Sequence, residues 1–73
     1  MKHEVGELCR IAKTATEKST GVSEEILKQM RTVKATVREV ETAYGGTFYK
    51  LTFHGLHPLF DFFTFVDKDI DWE

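Results

Sequence analysis

Thr32-Val33-Lys34-Ala35-Thr36-Val37-Arg38-Glu39-Val40-Glu41-Thr42-Ala43-Tyr44-Gly45-Gly46-Thr47-Phe48-Tyr49-Lys50-Leu51-Thr52-Phe53 decides the fold, because its first half reads two ways. Ile26, Met30, Val33, Val37, Val40 and Tyr44 recur in steps of four and three, the rhythm of one long helix stopped by Gly45-Gly46. Against that, Thr32, Val33, Thr36, Val37, Val40 and Thr42 are all β-branched, and such side chains favour strand. A hairpin register separates the two readings. With Gly45-Gly46 as a two-residue turn, Thr42 faces Tyr49, Val40 faces Leu51 and Arg38 faces Phe53, while Glu41 meets Lys50 on the other face. One face becomes apolar and the other gains an opposite-charge pair, so strand is favoured.

Working outward, the turn His54-Gly55-Leu56-His57-Pro58 leads to a third strand over 59–66, with Phe60 facing Leu51 and Phe62 facing Tyr49. In the other direction, Ser23 is a good N-cap, Glu24 and Glu25 suit a positive helix end, and Val22 with Leu27 is placed as a hydrophobic staple. This predicts a helix over about 24–34. Val5, Leu8, Cys9, Ala12 and Ala15 predict a weaker helix over about 3–18, ended by Ser19-Thr20-Gly21. The expectation is an α+β fold: two N-terminal helices, then a three-stranded antiparallel meander over about 37–44, 47–53 and 59–66, then an acidic tail at 67–73.

At 73 residues and 8.4 kDa the chain is expected to be one small domain, and a monomer. A domain of this size buries only about 60% of its unfolded surface, too little to enclose a deep catalytic pocket. The 41% hydrophobic, 30% charged composition is globular. The longest apolar stretch, Leu59 to Val66, is interrupted by Asp61 and Thr64 and is too short to span a membrane. The opening Met1-Lys2-His3-Glu4-Val5 has no signal-peptide character, and one cysteine allows no internal disulfide, so a cytoplasmic protein is expected. Charge is unevenly spread: positions 1–44 carry +1 and positions 45–73 carry −3. The basic residues gather at Lys28, Arg31, Lys34 and Arg38, and the acids in Asp67-Lys68-Asp69-Ile70-Asp71-Trp72-Glu73.

No pattern supports catalysis. His54 and His57 with His3 and Cys9 lack the paired knuckles of a zinc site. Cys9 lies among apolar neighbours and reads as a packed thiol rather than a nucleophile. The acidic tail has no glycine for a calcium loop. No metal or cofactor is therefore expected. Thr20-Gly21-Val22-Ser23 between two helices invites a helix-turn-helix reading, with Lys28, Arg31, Lys34 and Arg38 as the groove-entering stripe. The net charge of −2 and Glu17, where a small residue would suit close helix packing, weigh against nucleic acid. A protein-binding surface fits better. Phe48, Leu59, Phe63 and Phe65 fall on the face opposite Tyr49, Leu51, Phe60 and Phe62, and two short helices would not cover both. The candidate contacts are Val5, Leu8, Phe48, Phe63, Phe65, Ile70 and Trp72, with Trp72 either docked on the sheet or offered to a basic partner.

The opening Met1-Lys2-His3-Glu4-Val5-Gly6-Glu7-Leu8-Cys9-Arg10, the length, and the expected order of helices then strands resemble the small phage-encoded inhibitors and antiterminators that bind host RNA polymerase, of the Xanthomonas-phage type. The resemblance implies contact near the N-terminus of the polymerase β′ subunit in the host cytoplasm, blocked promoter engagement and terminator readthrough. A phage inhibitor of a host defence nuclease would share the same features, and a DNA-binding regulator using the basic stripe is the remaining alternative.

Overall fold

A computed structural model describes residues 3–73. Met1 and Lys2, which open the stretch carrying the resemblance, lie outside the described residues. In chain order come strand β1 (Leu8–Ile11), the single-turn helix α1 (Glu17–Thr20), helix α2 (Glu24–Met30), strands β2 (Ala35–Ala43) and β3 (Gly46–Phe53), a 3-10 helix (Pro58–Phe62), β4 (Thr64–Val66), a second 3-10 turn (Asp67–Asp69) and β5 (Ile70–Trp72). All strands are antiparallel neighbours in one sheet, in the order β4-β3-β2-β1-β5. The fold is α+β, but it is not two helices followed by a three-stranded meander.

The sheet is curled. A flat five-stranded sheet would hold its edge strands roughly 19 Å apart, at about 4.8 Å per spacing. Here the edges β4 and β5 are joined by only Asp67–Asp69, whose 3-10 path covers about 2 Å per residue. So short a link requires the sheet to roll toward a half-closed barrel, with the apolar cluster inside. Cys9, Ile11, Ala35, Val37, Tyr49, Leu51, Phe53, Phe65 and Ile70 line that interior, and Ala15, Val22, Leu27 and Met30 from the β1–β2 connection complete it.

Three departures from the sequence reading have local causes. The segment expected as helix 3–18 contains β1 instead. Its inward residues are Cys9 and Ile11, both buried, with Leu8 and Arg10 facing out. That alternation has period two, and a helical stripe drawn through Leu8 passes over Ile11. Gly6, at φ 96, breaks any helix before it starts. What remains helical is α1, held by a reciprocal capping box between Thr16 and Ser19.

The second departure concerns α2. Ser23 caps it as expected and accepts from Ile26 N, but the helix stops at Met30 rather than 34. The β-branched run then begins, and Ala35–Ala43 is strand, as favoured. Its turn is Tyr44-Gly45, not Gly45-Gly46, since Ala43 pairs with Gly46. Val40 therefore faces Tyr49 and Glu39 faces Lys50. A bulge at Arg38 shifts the register, so that Val37 faces Leu51. Leu51 and Tyr49 share one face of β3, so Val37 and Val40 lie on the same side although three residues apart. The step that imitates a helix is the extra residue of a bulge.

The third is the segment 59–66. His57 accepts from Leu59 N through Nδ1 (3.1 Å), and Pro58 sits in the first turn of the 3-10 helix, where a missing N–H costs nothing. That helix takes up residues through Phe62, and only Thr64–Val66 remains as strand. Tyr49 then faces Phe65 instead of Phe62, which turns Phe65 inward. The tail is also not loose: Asp69 and Ile70 are buried and β5 pairs with β1. Asp69 accepts from Ser19 Oγ (3.2 Å), and its carbonyl accepts from Ala12 N, so it ties the β1–β2 connection to the barrel seam.

Candidate interaction site

The 3-10 helix between β3 and β4 lifts Leu59 and Phe62 out of the surface, 64% and 74% exposed. Beneath them Leu56, Phe60 and Phe63 are half-buried against the core. The segment is pinned from several sides. Asp61 Oδ1 accepts from Phe53 N at the end of β3 (3.1 Å), and the Asp61 carbonyl accepts from Arg38 Nη2 (2.9 Å). Phe60 N donates to the His57 carbonyl (3.0 Å), and His54 Nε2 bonds Thr36 Oγ1. The bulge residue Arg38 thus reaches across to steady the loop. Two large apolar side chains stand in water on a backbone that is not free to fold them away. Such an arrangement lowers the entropy lost on docking.

A second cluster sits at the other end of β3. The His3 ring stacks on Trp72, with centroids 3.5 Å apart and planes within 7°. Tyr49 meets Trp72 edge-on at 5.0 Å. Trp72 Nε1 donates to Asp67 Oδ1 (2.9 Å), His3 Nε2 lies 3.5 Å from the same oxygen, and His3 Nδ1 lies 3.1 Å from Glu7 Oε1. The Glu7 carboxyl is held below its ordinary range, first by the Glu4 backbone N–H it accepts and then by His3. An open cleft of about 570 Å³ adjoins this corner, lined by Gly46, Thr47, Tyr49, Val66, Asp67 and Lys68.

The contacts expected from sequence are distributed as follows. Val5 and Leu8 are exposed, 64% and 49%, beside and on β1. Phe48 is half-buried on the outer face of β3, opposite Val66. Phe63 and Trp72 are half-buried, and Phe65 and Ile70 are core residues. They do not form one patch. Leu59 and Phe62 were not among them; a strand through 59–66 puts Phe62 on the core face. The readable signal was the His57-Pro58 pair, a cap followed by the residue best suited to a helix start.

The basic residues are likewise separated. Only Lys28 lies on α2; Arg31 is its C-cap, Lys34 lies in the following loop and Arg38 in the bulge of β2. Arg31 pairs with Glu24 and donates to the Ala15 carbonyl, and Lys34 pairs with Glu73 (3.5 Å). With α1 only four residues long, no pair of helices presents them as one groove-entering stripe.

Among the described residues no group of three or more His, Cys, Asp or Glu side chains is arranged to hold a metal ion, and no helix is long and apolar enough to cross a membrane. The Cys9 thiol is pushed up to about 11, mainly by burial and then by the charges of Glu7 and Glu73. Comparison with known families, curated proteins and solved structures gave no match.

Proposed function

We propose that this protein is a non-catalytic regulator that acts by contact, docking on a protein partner through Leu59 and Phe62. The observation that carries the reading is their exposure on a segment fixed by Asp61, Arg38 and His57. RNA polymerase, the partner implied by the resemblance, is the first one to test. Support for that choice rests on the opening residues and the length, since the helix-then-strand order is replaced by a five-stranded sheet.

The test is retention of purified bacterial RNA polymerase on the immobilised protein, at low and moderate salt and after nuclease treatment. The wild type should retain it through β′, and Leu59→Ser/Phe62→Ser should lose at least tenfold while melting within a few degrees of wild type. No retention at low salt removes polymerase as the partner. Equal retention by the double variant removes Leu59 and Phe62 as the contact. Run on host lysate instead of purified polymerase, the same immobilised protein should capture polymerase subunits, and capture of a nuclease complex in their place would favour the defence-inhibitor alternative.

A further inference from the structure

The corner at the far end of β3 holds one planar nitrogen ring in a setting built for a cation. His3 lies flat on the indole of Trp72, edge-on to Tyr49 at 6.2 Å, with a carboxylate near each ring nitrogen: Glu7 at 3.1 Å and Asp67 at 3.5 Å. Cations are attracted to the face of an indole more than to any other side-chain ring. The Asp67 Oδ1 that accepts from Trp72 Nε1 is the same oxygen that lies 3.5 Å from His3 Nε2, so one carboxylate serves the indole and the stacked ring together. Among the described residues lining the adjoining cleft, Asp67 and Lys68 carry the charges.

His3 reaches this place on a short tether. Glu4, Val5 and Gly6 are exposed, Glu4 is turned back on Glu7, and among the described residues the first backbone bond to the sheet comes at Gly6, to the Val37 carbonyl. His3 itself is held by its ring contacts and by its N–H to the Tyr49 hydroxyl (3.3 Å). It could leave without disturbing any strand pairing.

We propose that the Trp72–Tyr49–Asp67 corner is a binding site for the guanidinium of an arginine on a partner protein, and that His3 is its resident occupant, displaced when the arginine binds. A guanidinium is planar, permanently charged, stacks on aromatic faces and carries in-plane donors in a fork that suits one carboxylate. It fits the stacked position of the imidazole and meets Asp67 with two donors where the ring offers one. An ammonium has neither the plane nor the fork. The site is separate from Leu59 and Phe62, so it stands whether or not that surface docks.

Trp72 is the single tryptophan, so indole fluorescence and its Nε1 resonance report on this corner alone. The experiment titrates N-acetyl-arginine amide, with N-acetyl-lysine amide as control, into the wild type, His3→Ala, and His3→Ala/Asp67→Asn. His3→Ala should bind the arginine amide at least fivefold more tightly than wild type, and Asp67→Asn should reverse the gain at least fivefold. In the wild type, the titration should erase the nuclear Overhauser contacts between His3 and Trp72. That wild-type readout holds even if a variant proves unstable. The proposal is overturned if the indole resonance does not move, if the lysine amide binds equally well, or if His3–Trp72 contacts persist at saturation.

Discussion

Tyr44 occupies a position that suits another residue. It stands at the hairpin tip at φ 52, followed by Gly45 at φ 77, and its side chain is fully exposed. Two successive positive φ values make the type I′ turn that a right-twisted hairpin prefers, and asparagine tolerates the first of them far better than tyrosine. Tyr44→Asn should stabilise the protein, by about 0.5–2 kcal/mol as single stabilising substitutions commonly do, read as a rise in the urea midpoint with unchanged slope. Cys9 behaves in the opposite sense, as a residue matched to its place. Its raised folded value means that folding favours the protonated thiol. That contribution is complete below the ordinary thiol value of 9.0 and disappears as pH rises toward about 11. Alkylation by iodoacetamide at pH 8 should be at least a hundredfold slower in the native protein than in urea, followed by mass. Equal rates would show that the thiol is not sealed inside.

At the scale of elements, α2 closes the interior from the β1–β2 connection with two side chains. Leu27 and Met30 are completely buried, and Val22 just before its cap nearly so. Leu27→Ala should cost about 2–5 kcal/mol. A core this small rarely supplies more than about 3–5 kcal/mol, so the variant should be largely unfolded at 25 °C by circular dichroism. Elements whose signals are local were legible in the sequence: the Ser23 cap, the β2–β3 hairpin and its apolar face. β1 was not, because four residues give two alternations, a weaker signal than the helical spacing of Val5, Leu8, Cys9, Ala12 and Ala15. The strand register was not either, because the bulge at Arg38 and the three-residue offset of β4 are set by what packs beneath them. The candidate surface was hidden for the same reason: Phe62 changes face once Pro58 starts a 3-10 turn.

For the whole molecule, the decisive pairing is β1 with β5. Cys9 lies opposite Trp72 and Ile11 opposite Ile70, so one strand near each end of the chain is shared between them. β1 is flanked by β2 and β5, and without β5 it becomes an edge with Ile70 gone from the interior. A chain ending at Asp69 should lose the dispersed amide spectrum of the full protein. Retention of the β2–β3 hairpin shifts with collapse of those from Leu8–Ile11 would locate the damage at the seam. The −3 balance of the second half has a structural counterpart here. Asp67 accepts from the Trp72 indole, Asp69 from the Ser19 hydroxyl, and Glu73 meets Lys34, so three of the tail acids help fasten the final turn.

The same pairing has a consequence in time. The β2–β3 hairpin is local and can form within microseconds of being made, but β1, synthesised earlier, must wait for β5 before its outer edge is covered. Until then the outer edge of β1 has no strand partner. Pairings this distant along the chain place folding among the slower small domains, in milliseconds to seconds rather than microseconds. On a ribosome, β1 therefore keeps an uncovered outer edge from its own synthesis until β5 has emerged, and the sheet closes only then.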